Sequence, residues 1–233
     1  WKVMRNTLVL SFYSLATFPL PIILAILLNY IPSTRFRKTV QMVSYAPHFL
    51  STVVMCGMIL QFLDKRSGMI NAFLGLLGVE AANYMASASA FPHIYIWSGV
   101  WQGVGYSSII YIAALAGVSS ETHESAIVDG ASIIRRIWHV DLPAILPTIC
   151  IMLIMACGNI MNVNFEKILL LQNNLNISTS EVISTYVYKQ GFASVFPQYS
   201  YSAAIGMFSS IINMVLLIIV NLITRKLSGS GLW

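Results

Sequence analysis

The sequence predicts an all-α integral membrane protein, a polytopic bundle of five transmembrane helices, and three observations predict it. Only 9% of the 233 residues are charged and 57% are apolar, against about 25% and 45–50% in soluble proteins. The charges avoid five windows, 6–34, 39–63, 81–120, 142–165 and 190–224. Each window holds the roughly 20 apolar residues that carry a helix across a hydrocarbon core of about 30 Å. No window alternates polar and apolar residues in segments of about ten, as a membrane β-barrel would. Backbone groups in lipid must be satisfied within their own segment, so the spans are helices. This composition excludes a soluble enzyme, a disordered tail and a secreted disulfide scaffold.

The first helix is expected at 8–29, behind Lys2 and Arg5. It is too long for a cleavable signal and lacks a small-residue cleavage site. A tight basic connection, Arg35, Arg37 and Lys38, leads to the second helix at 40–63. The charge-free stretches 67–79 and 168–180 are too short to cross and read as interfacial or loop segments. The third helix is expected at 94–117, the fourth at 144–163 and the fifth at 201–224, ahead of Arg225 and Lys226. Cys56, Cys150 and Cys157 all fall inside spans without a CxxC spacing, so they read as small buried hydrophobes. The formal charge of +5 suits basic loops beside an anionic membrane surface. No basic face with interleaved aromatics exists for a nucleic-acid strand.

Short loops rich in Lys and Arg face the cytoplasm. If the five helices alternate, the clusters 35–38, 135–136 and 225–226 share one side, with the C-terminus inside. That places seven basic residues inside and six outside (Lys2, Arg5, Lys65, Arg66, Lys167 and Lys189). Trp1 then lies outside, and the chain begins with Trp rather than Met. An earlier transmembrane helix is therefore expected ahead of this sequence.

The segment 119–143 does not belong in lipid. Ser120 is expected to cap a helix whose first turn carries Glu121 and Glu124, favourable at the positive end of the helix dipole. Gly130 then ends it, and Ser132 is expected to cap a second short helix that stops before Pro143. Small residues Ser125, Ala126 and Ala131 permit close approach to another surface, and Glu124 and Asp129 offer charged handles.

At this point the sequence resembles a known family. Glu124-Ser125-Ala126, three residues, Gly130, nine residues, Val140, one residue and Leu142-Pro143 resemble the E-A-A loop of bacterial ABC-importer permeases. Ser and Val stand where that loop has Ala and Ile. Arg5-Asn6-Thr7-Leu8, Ala113-Ala114-Leu115-Ala116-Gly117 and Thr185-Tyr186-Val187-Tyr188 resemble its sugar and oligosaccharide branch, nearest to permeases for complex, often acidic oligosaccharides. The resemblance covers essentially the whole chain as one permease domain, 1–233, of the type I importer fold. It implies a path shared with a second similar permease, a solute-binding protein outside, two cytoplasmic ATPase subunits, and lipid around them. It also implies that 119–143 is a coupling segment docked on an ATPase, with Glu124 paired to a base there and Gly130 allowing the sharp turn. Ser125, Ala126, Asp129, Ala131, Leu142 and Pro143 complete that segment.

The sequence carries no catalytic constellation of its own. No Gly-Lys pair exists for a GxxxxGK[ST] phosphate loop, so no ATP or Mg site is expected on this chain; both belong to the ATPase partners. His123-Glu124 begins like HExxH, but Ile127 replaces the second zinc ligand. Gly105-Tyr106-Ser107-Ser108 lacks the closing glycine of a nucleophile elbow. His48 and His93 sit near span ends and read as structural.

Two polar groups are candidates for the solute path. In the fourth span, Asn159, Asn162 and Glu166 fall at i, i+3 and i+7, so they are expected to share one helical face. Such a stripe could bind sugar hydroxyls or another helix; both roles stay open. On the third helix, Trp97 and Trp101 stand one turn apart, with Gln102 and Tyr106 on the adjacent stripe. Sugars present C–H faces that stack on such rings. Trp97 reads as an interfacial anchor. Gly99 and Gly103 form a GxxxG and read as a helix contact, and Ser209, Ser210 and Asn213 as polar packing in the fifth helix. A permease for another solute, such as an amino acid or polyamine, differs only in the path. An ion-coupled transporter needs mid-span carboxylates or His, and an intramembrane enzyme needs a nucleophile–base or metal cluster.

Overall fold

The computed structural model describes residues 1–228, and all regular structure among them is helical. The first apolar stretch is α1 (Lys2–Ala16) and α2 (Pro19–Asn29), together a 28-residue candidate span. It starts earlier than 8 because Lys2 and Arg5 bound the lipid-embedded part, not the helix. Pro19 opens α2 where a missing N–H has no partner to lose.

The expectation of one continuous helix over 40–63 is corrected. The chain forms α3 (Thr34–Tyr45), a 3₁₀ turn (Ala46–Phe49) and α4 (Thr52–Phe62), bent by 100° at the break. Pro47 removes a backbone donor, and the Ser51 hydroxyl accepts the Val54 N–H at 3.3 Å, starting a new helix. The next helix, α5 (Met69–Leu76), has eight residues and is too short to cross a bilayer.

Helix α6 (Ala90–Ala116) turns by 73° into α7 (Ser120–Val128). Then α8 (Ile133–Arg136), a π turn (Ile137–Asp141) and α9 (Leu142–Gly158) form one 26-residue candidate span. The second short helix therefore does not stop before Pro143. The Leu142 N–H bonds to the Ile137 carbonyl, five residues back, so Pro143 falls in the first turn of a renewed helix where its missing donor costs little.

The expected fourth helix, 144–163, ends instead at Gly158. The Asn162 N–H bonds to the Asn159 carbonyl at 2.9 Å, and Asn164 caps α10 (Phe165–Leu171) by accepting the Lys167 N–H at 3.0 Å. After it come α11 (Ile177–Ser180), α12 (Ile183–Tyr188), a π turn (Lys189–Ala193) and α13 (Tyr199–Ser228). Among the described residues, three helical stretches are long and apolar enough to cross a membrane, or up to five if each bent pair is one span.

The chain forms two compact units. One comprises 1–15, 49–100 and 159–213. Its core joins Leu10, Met55, Cys56, Phe91, Tyr95, Ile168, Leu171 and Val182. Lys167 is buried there; its Nζ donates to the Tyr95 carbonyl at 2.7 Å and lies 4.8 Å from the Tyr95 ring centre. The Asn213 side-chain oxygen accepts the Met161 N–H at 3.0 Å, a packing role for that amide. His93 and Trp97 both meet the Tyr13 hydroxyl, at 2.9 and 3.0 Å.

The other unit comprises 16–48, 101–158 and, among the described residues, 214–228. Its core joins Ile22, Ala25, Ile26, Tyr111, Leu115 and Ile145. A close glycine contact lies here, at Gly105, where a Cβ would lie 3.0 Å from Ser44 Cβ and closer still to the Ser44 carbonyl. The GxxxG expectation is corrected accordingly: nothing lies within 4 Å of a Cβ on Gly103, and the neighbour of Gly99 is Lys167 Nζ. Spacing marks where backbones can approach, not which face meets a neighbour. All three cysteines are free and buried.

Candidate functional site

Two features concentrate polar chemistry: the segment 119–143, and the residues proposed to line a path. The first is built by local capping. The Ser119 hydroxyl accepts the Glu121 N–H at 3.2 Å, so Ser119 rather than Ser120 is the cap. Glu121 then sits in the first turn, while Glu124 falls one turn later, away from the dipole's positive end. The shift arises because two adjacent serines offer the same chemistry, and backbone position alone chooses between them.

The C-terminus of α7 is a Schellman closure. Gly130 has φ +73°, the left-handed region. Its N–H bonds to the Ile127 carbonyl and the Ala131 N–H to the Ala126 carbonyl, both at 2.9 Å. Ser132 starts α8, its hydroxyl 3.5 Å from the Arg135 N–H. Of the expected coupling residues, Glu124, Ser125, Asp129, Gly130 and Pro143 are exposed, and Ala126 and Ala131 are half-buried at the closure. Leu142 packs against the core of its unit. Ile127, Val128, Ile133, Ile134 and Trp138 are also exposed, so this elbow shows an apolar surface beside its acidic groups.

Sequence reasoning missed the group beneath α7. Asp141 is fully buried. The Tyr30 hydroxyl donates to its Oδ2 at 2.6 Å, and His123 Nε2 lies 3.3 Å from its Oδ1. The Arg136 guanidinium stands 5.4 Å over the Tyr30 ring. Burial, then the hydrogen bond to Asp141, push the Tyr30 phenol up to about 12, so it stays a donor. The one available signal was an acidic residue directly before Leu142-Pro143, at the edge of a charge-free window.

The proposed path residues divide between the two units. Trp101 and Val104 line a cavity of about 380 Å³ with Thr39, Val40, Val43, Ser44 and Pro47. Tyr106 is half exposed and stacks on His48, ring centres 3.8 Å apart and planes within 3°. Gln102 is half-buried on the same helix. The single-face stripe of Asn159, Asn162 and Glu166 is corrected. The helix ends before them, so they occupy a turn and the start of α10, all exposed. Asn162 Nδ2 lies 3.4 Å from Asn159 Oδ1.

A family model described as the binding-protein-dependent transport system inner membrane component matches residues 10–229. The chain belongs to this family. Protein LplB of Bacillus subtilis is 36% identical over 100% of this chain and 73% of that protein. The polygalacturonan/rhamnogalacturonan transport system permease protein YteP of the same organism is 36% identical over 99% and 72%. Among solved structures, a bacterial ABC transporter involved in the import of the acidic polysaccharide alginate matches with TM-score 0.95 and 36% identity, over 97% of this chain and 79% of that chain. The same kind of transporter in complex with an alginate pentasaccharide-bound periplasmic protein matches with TM-score 0.96 over 99% and 80%. The fold is thus that of an ABC-importer permease, and the family places the chain in the membrane as a multi-pass transport component.

Proposed function

We propose that this permease moves an acidic oligosaccharide inward, by alternating access in an ATP-driven importer. The observation that carries the reading is the likeness, at 36% identity along the whole chain, to two transporters of uronic-acid polymers. A second permease would close the other side of the path, and a solute-binding protein would deliver the sugar from outside. Two ATPase subunits would bind ATP and Mg and engage the 119–143 elbow through Glu124, Ser125, Ala126, Asp129, Gly130 and Ala131. Leu142 and Pro143 root that elbow in α9. The exposed basic pair Arg225 and Lys226 on α13, with Arg35 and Arg37, supports a cytoplasmic placement of the elbow and C-terminus. Trp101, Gln102 and Tyr106 would offer stacking and hydrogen bonds to sugar rings, and Asn159, Asn162 and Glu166 further polar contacts.

Uptake in cells carrying the intact importer tests this, with labelled galacturonate and alginate trimers set against a neutral arabinose trimer. Uptake of a uronate trimer that falls in a Tyr106→Ala variant with assembly intact is expected. Preference for the neutral trimer would refute the acidic substrate. A relative named for arabinooligosaccharides, 30% identical over 99% of this chain, makes that a meaningful alternative.

A further inference from the structure

The group around Asp141 has no part in sugar contact or in the exposed docking surface, yet it is the most completely buried carboxylate among the described residues. Burying a carboxylate costs several kcal/mol unless donors meet it, so its partners are informative. They come from separate elements: Tyr30 caps the C-terminal end of α2, and His123 lies in α7. Asp141 itself closes the π turn at the root of α9. His123 and Ala126, one turn apart, are the two residues of α7 that are not fully exposed, so this side chain is a main inward hold of a nine-residue helix. Arg136, in the turn before, adds a cation over the same Tyr30 ring.

We propose that Asp141 is the positioning residue through which displacement of α7 enters the membrane helices. The inference rests on the coupling reading of the 119–143 elbow. A push on α7 moves His123, and Asp141 Oδ1, buried and without a hydrogen bond of its own, would lose the imidazole nitrogen that stands 3.3 Å from it. The displacement therefore passes to Asp141 and, through the Tyr30 hydroxyl, to the end of α2. It also enters α9 at a π turn, where the hydrogen-bond register is already shifted and a small rotation disrupts least. Without the tie, Ala126 is the one remaining residue of α7 that is not fully exposed.

The test is hydrogen exchange on the intact importer in nanodiscs, comparing nucleotide-free and ATP–vanadate-trapped states. Wild type should show a trapping-dependent change in both the 120–131 and the 24–31 peptides. In His123→Leu and in Tyr30→Phe the change in 120–131 should persist, while that in 24–31 should shrink about fivefold, the scale of one lost polar contact. His123→Gln, which keeps a donor at reach of Asp141, should restore it. A purely structural role would alter baseline exchange in these variants but not the trapping-dependent difference. An unchanged 24–31 response in His123→Leu would overturn the tie. No trapping response in 120–131 even in wild type would instead overturn the coupling reading, and the tie with it.

Discussion

Replacing Gly130 isolates the backbone contribution of the elbow. Nothing lies within 4 Å of a Cβ built there, so a new side chain meets no steric wall and its effect is conformational. At φ +73° an L-residue incurs about 1–2 kcal/mol of left-handed strain, partly offset by a less flexible unfolded chain, which leaves about 1 kcal/mol for Gly130→Ala. That corresponds to roughly a fivefold population shift away from the closed form, in which Ala131 and Gly130 bond back to Ala126 and Ile127. The effect should be visible because α7 has only nine residues, short of the about 12–15 an isolated helix needs. Exchange of the Ala131 amide, read by mass spectrometry in nanodiscs, should accelerate about fivefold in Gly130→Ala. It should accelerate less in Gly130→Asn, since Asn enters this region more readily, and most in Gly130→Pro, whose ring forbids it. Equal protection in the Gly, Asn and Ala forms would refute the reasoning, as would an Asn form less protected than Ala.

Two further outcomes are expected. Gly105→Ala should lower the thermal unfolding midpoint in detergent, by the equivalent of about 1–3 kcal/mol of overpacking against the Ser44 carbonyl, whereas Gly103→Ala should not lower it; equal midpoints would remove the close-contact assignment. Lys167 lies in α10, outside the candidate spans, and burial lowers its ammonium from 10.5 to about 8. Below pH 8 both states hold the proton and the folded state carries the full burial cost. Between pH 8 and 10.5 only the unfolded state holds it, so stability should rise with pH by up to roughly 3 kcal/mol. Thermal midpoints from pH 7.5 to 10 should show that rise in wild type and lose most of it in Lys167→Met.

Much of this was legible in the residues. Charge exclusion located every apolar segment, because a charge in hydrocarbon is too costly to be scattered. Gly130 was legible as a stop, since few other residues hold a left-handed turn. The helix ends were less so: charge-free windows continue past Gly158 and across Pro47, and lipid solvation does not distinguish a straight helix from one that breaks. The path stripe failed for that reason, its spacing holding only while one helix runs through Asn159, Asn162 and Glu166. In the sequence His123 is only half of an absent zinc motif, and no local motif singles out Asp141.

By itself the sequence determined the solvent of this protein, its helical class and the place of its polar elbow, because these follow from where charges, glycines and capping hydroxyls stand along the chain. Tertiary structure alone decided that Gly105 rather than Gly103 meets a neighbour, that Lys167 is pinned to Tyr95, and that Tyr30, His123 and Asp141 converge. Such meetings join residues far apart in the chain, and they depend on how each helix is rotated about its axis, which no local propensity encodes.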